Sequence, residues 1–213
     1  MIKDTDSDSS RQVFLQGDPD CVLWLQPNAC PASLNERVIQ FVREQAMNDP
    51  KYIPRKQVHD TKQAGVFHLG KAFHYRNHHF YETEIPPLFN ELMEYAKELT
   101  QQEYDTVLFK VYGPGESLAK HQDVDGSPMN VACFTFATDP SQLCEVCWFR
   151  GSNSYVKRFS FTPAACSVWF MGGLTNAKYS HRVPPAEEPL SEGLRVSVSL
   201  RQNTVNVVNN KRS

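Results

Sequence analysis

The second half of the chain is a succession of short apolar segments separated by turn residues, a pattern typical of β-strands. These segments span 106–112, 129–137, 144–149, 155–161, 166–171 and 194–202. The last alternates strictly, with apolar side chains at Val196, Val198 and Leu200 and polar ones at Arg195, Ser197, Ser199 and Arg201. Because successive strand residues point to opposite faces, this strand has one apolar face and one face that carries two arginines.

Two amphipathic helices are predicted before these strands. Ser33-Leu34-Asn35-Glu36 has the pattern of a capping box, and Leu34, Val38, Phe41, Val42 and Ala46 then fall on one helical face. A second helix begins at Pro86-Pro87 and runs towards Gln102. Two helices followed by many short strands predict an α+β, mainly β fold, a sandwich or jelly roll backed by helices.

The chain of 213 residues has the length of one large domain with tails. The domain is predicted over 13–202, after an acidic segment, 1–12, expected to be disordered, and before a loose polar tail, 203–213. The segment of about 51–84 is rich in aromatic residues and histidine but has little periodicity. A long irregular segment of this kind is usually functional when it is not disordered.

Composition limits the partners and the compartment. A net charge of −2 gives no reason to expect strong non-specific binding to nucleic acid, so any such contact must be local. No apolar run reaches membrane-spanning length, and no membrane partner is expected. Six scattered cysteines indicate reduced thiols and a cytoplasmic or nuclear protein that is not secreted. The Cys144…Cys147 pair reads as strand cysteines in preference to half a zinc site or a redox pair.

A possible metal site lies at the end of the segment 112–125. His121 and Asp123 are two residues apart, so in an extended chain both side chains point to the same side. With His181, they would form the two-histidine, one-carboxylate triad that binds iron(II) and leaves coordination positions open. Taken alone, His121 beside Asp123 is more commonly a surface pair, and His181 a surface or core histidine. Their occurrence together, followed by the strand with two arginines, favours the metal site.

The polar face of the last strand indicates the second ligand. In a jelly roll that face is the interior, and a buried guanidinium requires an anionic partner. Arg195 and Arg201 lie six strand residues apart, roughly 20 Å, and can hold the two ends of a short dicarboxylate. A metal together with a dicarboxylate indicates 2-oxoglutarate.

These segments resemble the AlkB-type iron(II)/2-oxoglutarate dioxygenases, from about residue 54 to residue 202. The likeness is densest in Tyr112-Gly113-Pro114-Gly115, in 121–125, in Ser180-His181 and in the strand from Arg195 to Arg201. It implies a double-stranded β-helix. It also implies oxidative dealkylation of N-methylated bases in DNA or RNA, which consumes O2 and 2-oxoglutarate and releases formaldehyde, succinate and CO2.

The resemblance also implies residue roles. Arg195 would bind the distal carboxylate of 2-oxoglutarate with help from Tyr112, Arg201 would lie beside the proximal carboxylate and Asp123, and Asp125 would face the base. Two positions depart from the family pattern. Lys110 stands where the family commonly has an asparagine, and can supply a charge-assisted bond to the cosubstrate. Ser197 replaces the asparagine of the arginine motif.

The segment 51–84 occupies the place of the family's nucleotide-recognition lid. Phe67, Phe73 and Tyr75 are candidates to stack on a base, and Arg55, with Lys56 and Lys71, to contact phosphates. The alternative is that these aromatic rings pack on the sheet.

Two other functions remain open at the level of sequence. One is oxygenation of a protein or small molecule, because the same scaffold hosts such reactions and the chain has no basic surplus. The other is a catalytically silent binding module, against which the intact triad and both arginines speak. A monomer is expected.

Overall fold

The computed structural model describes residues 11–49, 51, 57–58, 61–75, 78–123, 128–185 and 193–202. Its strands, in chain order, are β1 (Gln12–Phe14), β2 (Cys21–Gln26), β3 (Gln57–Val58), β4 (Thr61–Gln63), β5 (Gly65–Gly70), β6 (Phe73–Tyr75), β7 (His78–Phe80), β8 (Thr106–Tyr112), β9 (Glu116–His121), β10 (Val131–Ala137), β11 (Val146–Arg150), β12 (Lys157–Phe161), β13 (Val168–Gly173), β14 (Tyr179–Val183) and β15 (Arg195–Arg201). Its helices are α1 (Ala32–Glu44), α2 (Pro87–Thr100) and the short α3 (Thr175–Lys178).

The strands form two main sheets and a separate hairpin. The larger sheet has the order β1-β2-β13-β10-β15-β8-β5, with every neighbouring pair antiparallel. The smaller sheet has the order β12-β11-β14-β9-β4-β3 and is antiparallel except for the β4–β9 pair. Strands β6 and β7 pair only with each other in the described structure. This arrangement confirms the predicted jelly roll.

The two helices cover one face of the larger sheet. Val196, Val198 and Leu200 of β15 point into this layer and are fully buried against residues of α1 and α2. The other face of the larger sheet meets the smaller sheet, and the contact includes Tyr112 and Trp169 on one side and Trp148 on the other. The alternation in β15 therefore separates a helix-packed core from the interior between the sheets, where its polar residues lie.

The predicted capping box of the first helix is wrong. Helix α1 begins at Ala32, two residues before the start that a capping Ser33 predicts, so Ser33 is already inside the first turn and no side chain caps the N-terminus. Asn35 instead exchanges two hydrogen bonds of 2.9 Å with the backbone of Ala137, which fastens the helix to the end of β10. The predicted start of the second helix is confirmed, with Pro86 at the N-cap and Pro87 in the first turn.

No helix in the described part of the chain is long and apolar enough to cross a membrane. All six cysteines are free thiols and all are buried. Cys147 lies within β11 and Cys144 just before it, in keeping with their interpretation as strand cysteines.

Candidate functional site

His121, Asp123 and His181 come together between the two sheets. His121 ends β9 and is paired directly with His181 on β14, and their rings are 4.4 Å apart. Asp123 follows two residues later, with its Oδ1 3.4 Å from Nε2 of His121. One ligand atom from each residue lies within 4.8 Å of the other two, and this is the one such group found among the described residues. That spacing fits three ligands around a single metal ion.

The surroundings hold each of these side chains in the state that a metal requires. Nδ1 of His121 is 2.9 Å from the carbonyl oxygen of Ala119, which leaves Nε2 facing Asp123. Burial lowers the pKa of His181 well below its usual range, so this imidazole is neutral. Its ring is stacked on Trp148 at 4.8 Å. Nε2 of His121 and Nδ1 of His181 are buried without a hydrogen-bond partner.

Asp123 is kept ionised despite its burial. Burial alone would raise the pKa of this carboxyl, but the guanidinium of Arg201 and the ring of His121 hold the pKa well below its usual range. Nη2 of Arg201 is 2.9 Å from Oδ1 of Asp123. Two imidazoles and an ionised carboxylate are the donor set of a two-histidine, one-carboxylate iron(II) site, so these residues fit Fe(II).

Asn176, which sequence reasoning missed, clamps the backbone of Asp123. Its Oδ1 accepts from the Asp123 amide at 2.8 Å, and its Nδ2 donates to the Asp123 carbonyl at 2.6 Å. Gln122 adds bonds of 2.9 Å from its side chain to the carbonyls of Asn176 and Ala177. Asn176 is fully buried in α3, a helix of one turn. Nothing in the sequence marked it, because Leu174-Thr175-Asn176 reads as an ordinary turn.

Three cations lie beside this centre on two neighbouring strands. Arg195 and Arg201 on β15 and Lys110 on β8 are 2%, 7% and 8% exposed. The guanidinium of Arg195 lies 4.7 Å from the centre of the Tyr112 ring, and its Nε and Nη1 have no hydrogen-bond partner. Among the described residues that line this cavity, Asp123 is the one carboxylate. The interior thus has an excess of buried positive charge, which a dicarboxylate would neutralise.

The two departures from the family pattern are neighbours. Lys110 and Ser197 are paired directly opposite each other on β8 and β15. A longer side chain at one position therefore faces a shorter one at the other. Burial lowers the pKa of Lys110 from its ordinary value, which makes a nearby anion a favourable partner for its charged form. Ser197 lies 3.1 Å from the sulfur of Cys133, within the same cavity.

The predicted substrate residues have different outcomes. Phe67 is 4% exposed and packs against Phe109 under the helices, so the prediction that it stacks on a base is wrong. Its place in β5 points it to the helix layer, and the segment predicted to be irregular contains this regular strand. Phe73 and Tyr75 belong to the β6–β7 hairpin, but their side chains lie outside the described structure.

Asp125, Arg55 and Lys56 also lie outside the described residues. Lys71 is described, and it forms an ion pair of 2.8 Å with Asp105 at the surface. The roles of Asp125, Arg55, Phe73 and Tyr75 therefore stay predictions.

Two solved structures have a similar fold. OsALKBH1 superposes with a TM-score of 0.65 at 14% identity, covering 84% of this chain and 96% of that one. A prolyl-4-hydroxylase from Pseudomonas putida gives a TM-score of 0.53 at 13% identity, covering 84% and 92%. No family model matches the sequence, and no curated protein matches it. The likeness to both is one of fold. The triad with its adjacent buried cations fits Fe(II) and 2-oxoglutarate.

Proposed function

We propose that this protein is an Fe(II)/2-oxoglutarate-dependent dioxygenase that removes methyl groups from N-methylated bases in DNA or RNA. The observation that carries the oxygenase part is the triad His121, Asp123 and His181 next to three buried cations. Arg195 has buried donors without a partner, and such donors favour an anionic ligand beside the triad because a buried charge costs free energy to desolvate. A metal triad next to a site for an anionic cosubstrate is the arrangement that an oxygenase of this kind needs. The nucleobase part is supported by the resemblance of the motifs around Tyr112, His121 and Arg195 to the AlkB-type enzymes.

Each side chain would have a distinct task. His121, Asp123 and His181 would hold the iron, which with bound 2-oxoglutarate supplies the oxidation of a C–H bond by O2. Arg195 would bind the distal carboxylate of 2-oxoglutarate and Tyr112 would orient that guanidinium through its ring. Arg201 would keep the Asp123 carboxylate ionised and fixed. Trp148 and Trp169, packed on His181, would exclude water from that side of the site.

The second candidate is oxygenation of a protein or a small molecule. It is favoured by the similar fold of a prolyl-4-hydroxylase and by the net charge of −2. The two candidates share the iron and 2-oxoglutarate sites and differ in what enters the mouth of the barrel.

One assay separates the candidates. The protein, loaded with iron(II), is incubated with 2-oxoglutarate and a panel of oligonucleotides, each carrying one N-methylated base in single or double strand. Succinate and formaldehyde are measured by mass spectrometry. Formaldehyde above the level of the unmethylated oligonucleotide supports dealkylation. Succinate release that no oligonucleotide stimulates, but that a peptide or small molecule does, would select the second candidate.

The metal assignment has its own test. Asp123→Ala should abolish binding of one iron(II) per chain and stop turnover, because two imidazoles alone hold the ion weakly. Binding is measured by calorimetry with manganese(II) in place of iron, which gives a readout independent of activity. The control is Asp105→Ala, which removes a carboxylate that pairs with Lys71 at the surface. Full activity of the Asp123 variant would refute the site.

A further inference from the structure

Two basic residues lie next to the metal ligands in sequence but on the opposite side of the smaller sheet. Lys120 precedes His121 in β9, and Arg182 follows His181 in β14. Since side chains alternate between faces, both point outwards, and both lie over the ring of Phe149. The Lys120 ammonium is 5.6 Å and the Arg182 guanidinium 5.4 Å from the centre of that ring. Their positions on this outer face are thus fixed by packing.

An exposed aromatic ring stands beside them. Tyr155 is 85% exposed, and the Lys120 ammonium lies 3.9 Å from its ring centre. Lys120 also donates a hydrogen bond of 2.7 Å to the carbonyl of Ser154, which holds the loop against β9. The ring is therefore presented to solvent by a cation–π contact, and has no place in either core.

The loop that carries Tyr155 is attached at the end of the sheet where the metal site lies. The Gly151 amide donates to the Lys178 carbonyl at 2.7 Å, and Ser180 donates to the Gly151 carbonyl at 2.8 Å. Lys178 belongs to α3, the same helix whose Asn176 clamps Asp123. The exposed ring thus stands at the metal end of the barrel, on its outer rim.

Two further basic residues lie on this rim. Lys157 and Arg158 follow the loop in β12 and are both exposed, whereas the next residue, Phe159, packs on Trp148. In the described part of the chain, the ion pair on this face joins Lys157 to Glu145 at 3.0 Å. Lys120, Arg158 and Arg182 have no such pair there. In the described structure, this face therefore carries three basic side chains without an ion pair beside an exposed ring, in a chain whose net charge is −2.

We propose that this rim surface, formed by Lys120, Tyr155, Lys157, Arg158 and Arg182, binds a single-stranded stretch of the nucleic acid that flanks the target base. This inference rests on the proposed function and names how that substrate is held. Basic side chains on an exposed face can contact the phosphates of a strand, and an exposed aromatic ring offers a stacking surface to an unpaired base. A duplex has no free base for that ring.

The test uses charge-neutral variants that keep the packing. Lys120→Gln/Arg182→Gln removes two charges but retains side-chain stems over Phe149. Binding of a fluorescent single-stranded oligonucleotide to the iron-loaded protein without 2-oxoglutarate is measured over a range of salt concentrations. Losing two phosphate contacts should reduce the slope of log K against log salt by about 1.4. Tyr155→Ala should weaken binding about tenfold, and Tyr155→Phe should restore it.

The matched control is Arg37→Gln/Lys97→Gln, which removes one arginine and one lysine from the surface of α1 and α2. This control should leave both affinity and slope unchanged. Equal binding by the wild type and the rim variants, with formaldehyde release intact in all, would overturn the rim surface and leave the proposed function standing. Absence of binding by the wild type at low salt, with no stimulation by any oligonucleotide, would remove both. Uncoupled turnover of 2-oxoglutarate should be the same in every variant, which shows that the metal site is intact.

Discussion

At the scale of single residues, the site is defined by an imbalance of buried charge. Among the described residues of the interior, Lys110, Arg195 and Arg201 lie near one carboxylate, that of Asp123, and Nη2 of Arg201 is already 2.9 Å from its Oδ1. Arg195 is left with unsatisfied donors over the ring of Tyr112. Buried donors of this kind are rare in folded proteins unless a ligand supplies the acceptor. This imbalance makes Arg195 the most informative residue to change.

Arg195→Ala should raise the apparent KM for 2-oxoglutarate roughly ten- to a hundredfold, because a charge-assisted pair is worth about 1.5–3 kcal/mol. The apparent KM is measured by steady-state kinetics of succinate formation. Arg195→Lys should recover part of the loss, since a lysine restores the charge but not the bidentate geometry. An unchanged KM in Arg195→Ala would place the distal carboxylate elsewhere, with Lys110 as the next candidate. Arg43→Ala, on the surface of α1, is the control.

Asn176 acts on the metal through the backbone of Asp123, so it is a positioning residue. Asn176→Ala removes both hydrogen bonds and should weaken manganese(II) binding by roughly ten- to a hundredfold, the range typical of residues that orient metal ligands. Calorimetry of metal binding checks it. Asn176→Asp keeps the acceptor for the Asp123 amide but not the donor to its carbonyl. Its affinity for manganese(II) should therefore lie between those of the wild type and Asn176→Ala. A lower melting temperature with unchanged metal affinity would mean that Asn176 serves only the fold.

At the scale of elements, sequence patterns predicted the strands whose two faces are both buried. The predicted bounds of β8 are confirmed, and those of β15 differ by one residue at each end, because regular alternation makes such strands visible. Strands β9 and β14, which carry the two histidines, were missed. Their mixed sequences, Glu116–His121 and Tyr179–Val183, become strands through pairing with each other and with β11, a contact between distant parts of the chain.

In strand β5, the direction of individual side chains also depends on pairing with a distant strand, which the sequence pattern does not reveal. Aromatic residues in an irregular-looking segment suggested a base-stacking role for Phe67, and only the pairing of β5 with β8 decides that Phe67 points to the helices. The next residue, His68, points to the other face, where its ring lies 5.3 Å from that of Phe80. The metal ligands were predictable because their chemistry is specific, whereas the direction of Phe67 depends on strand register.

His68 should make stability fall in weak acid. Burial lowers its pKa from the ordinary 6.5 to about 4, so between these values the unfolded chain binds a proton that the folded chain does not. The stabilisation is complete above the unfolded pKa and is lost as the pH falls towards the folded pKa, by roughly 3 kcal/mol at most. Denaturant unfolding of wild type and His68→Gln through this pH range measures it. In the variant, the free energy of unfolding should fall less steeply as the pH decreases. Equal dependence of that free energy on pH in the two proteins would show that His68 titrates normally.

At the scale of the whole molecule, each layer has a different role. The helices cover one face of the larger sheet with an apolar core, and the interior between the sheets holds the metal ligands and the buried cations. Among the described residues that line this interior, Asp123 is the one carboxylate beside the buried cations, and an anionic ligand would balance the remaining positive charge. Stability of the whole fold should then depend on that ligand, because a ligand that binds only the folded state stabilises it.

The dependence of stability on bound 2-oxoglutarate should be visible in thermal unfolding. With manganese(II) bound and O2 excluded, 2-oxoglutarate at a hundred times its Kd should stabilise the protein by about 2.7 kcal/mol, which corresponds to roughly 5–10 °C in Tm for a chain of this size. The analogue 2-oxobutyrate keeps the group that approaches the metal but lacks the distal carboxylate, so at the same concentration its shift should be smaller. In Arg195→Ala the two compounds should give nearly equal shifts, since the partner of the distal carboxylate is gone. Equal shifts in the wild type would mean that the buried cations do not bind the distal end.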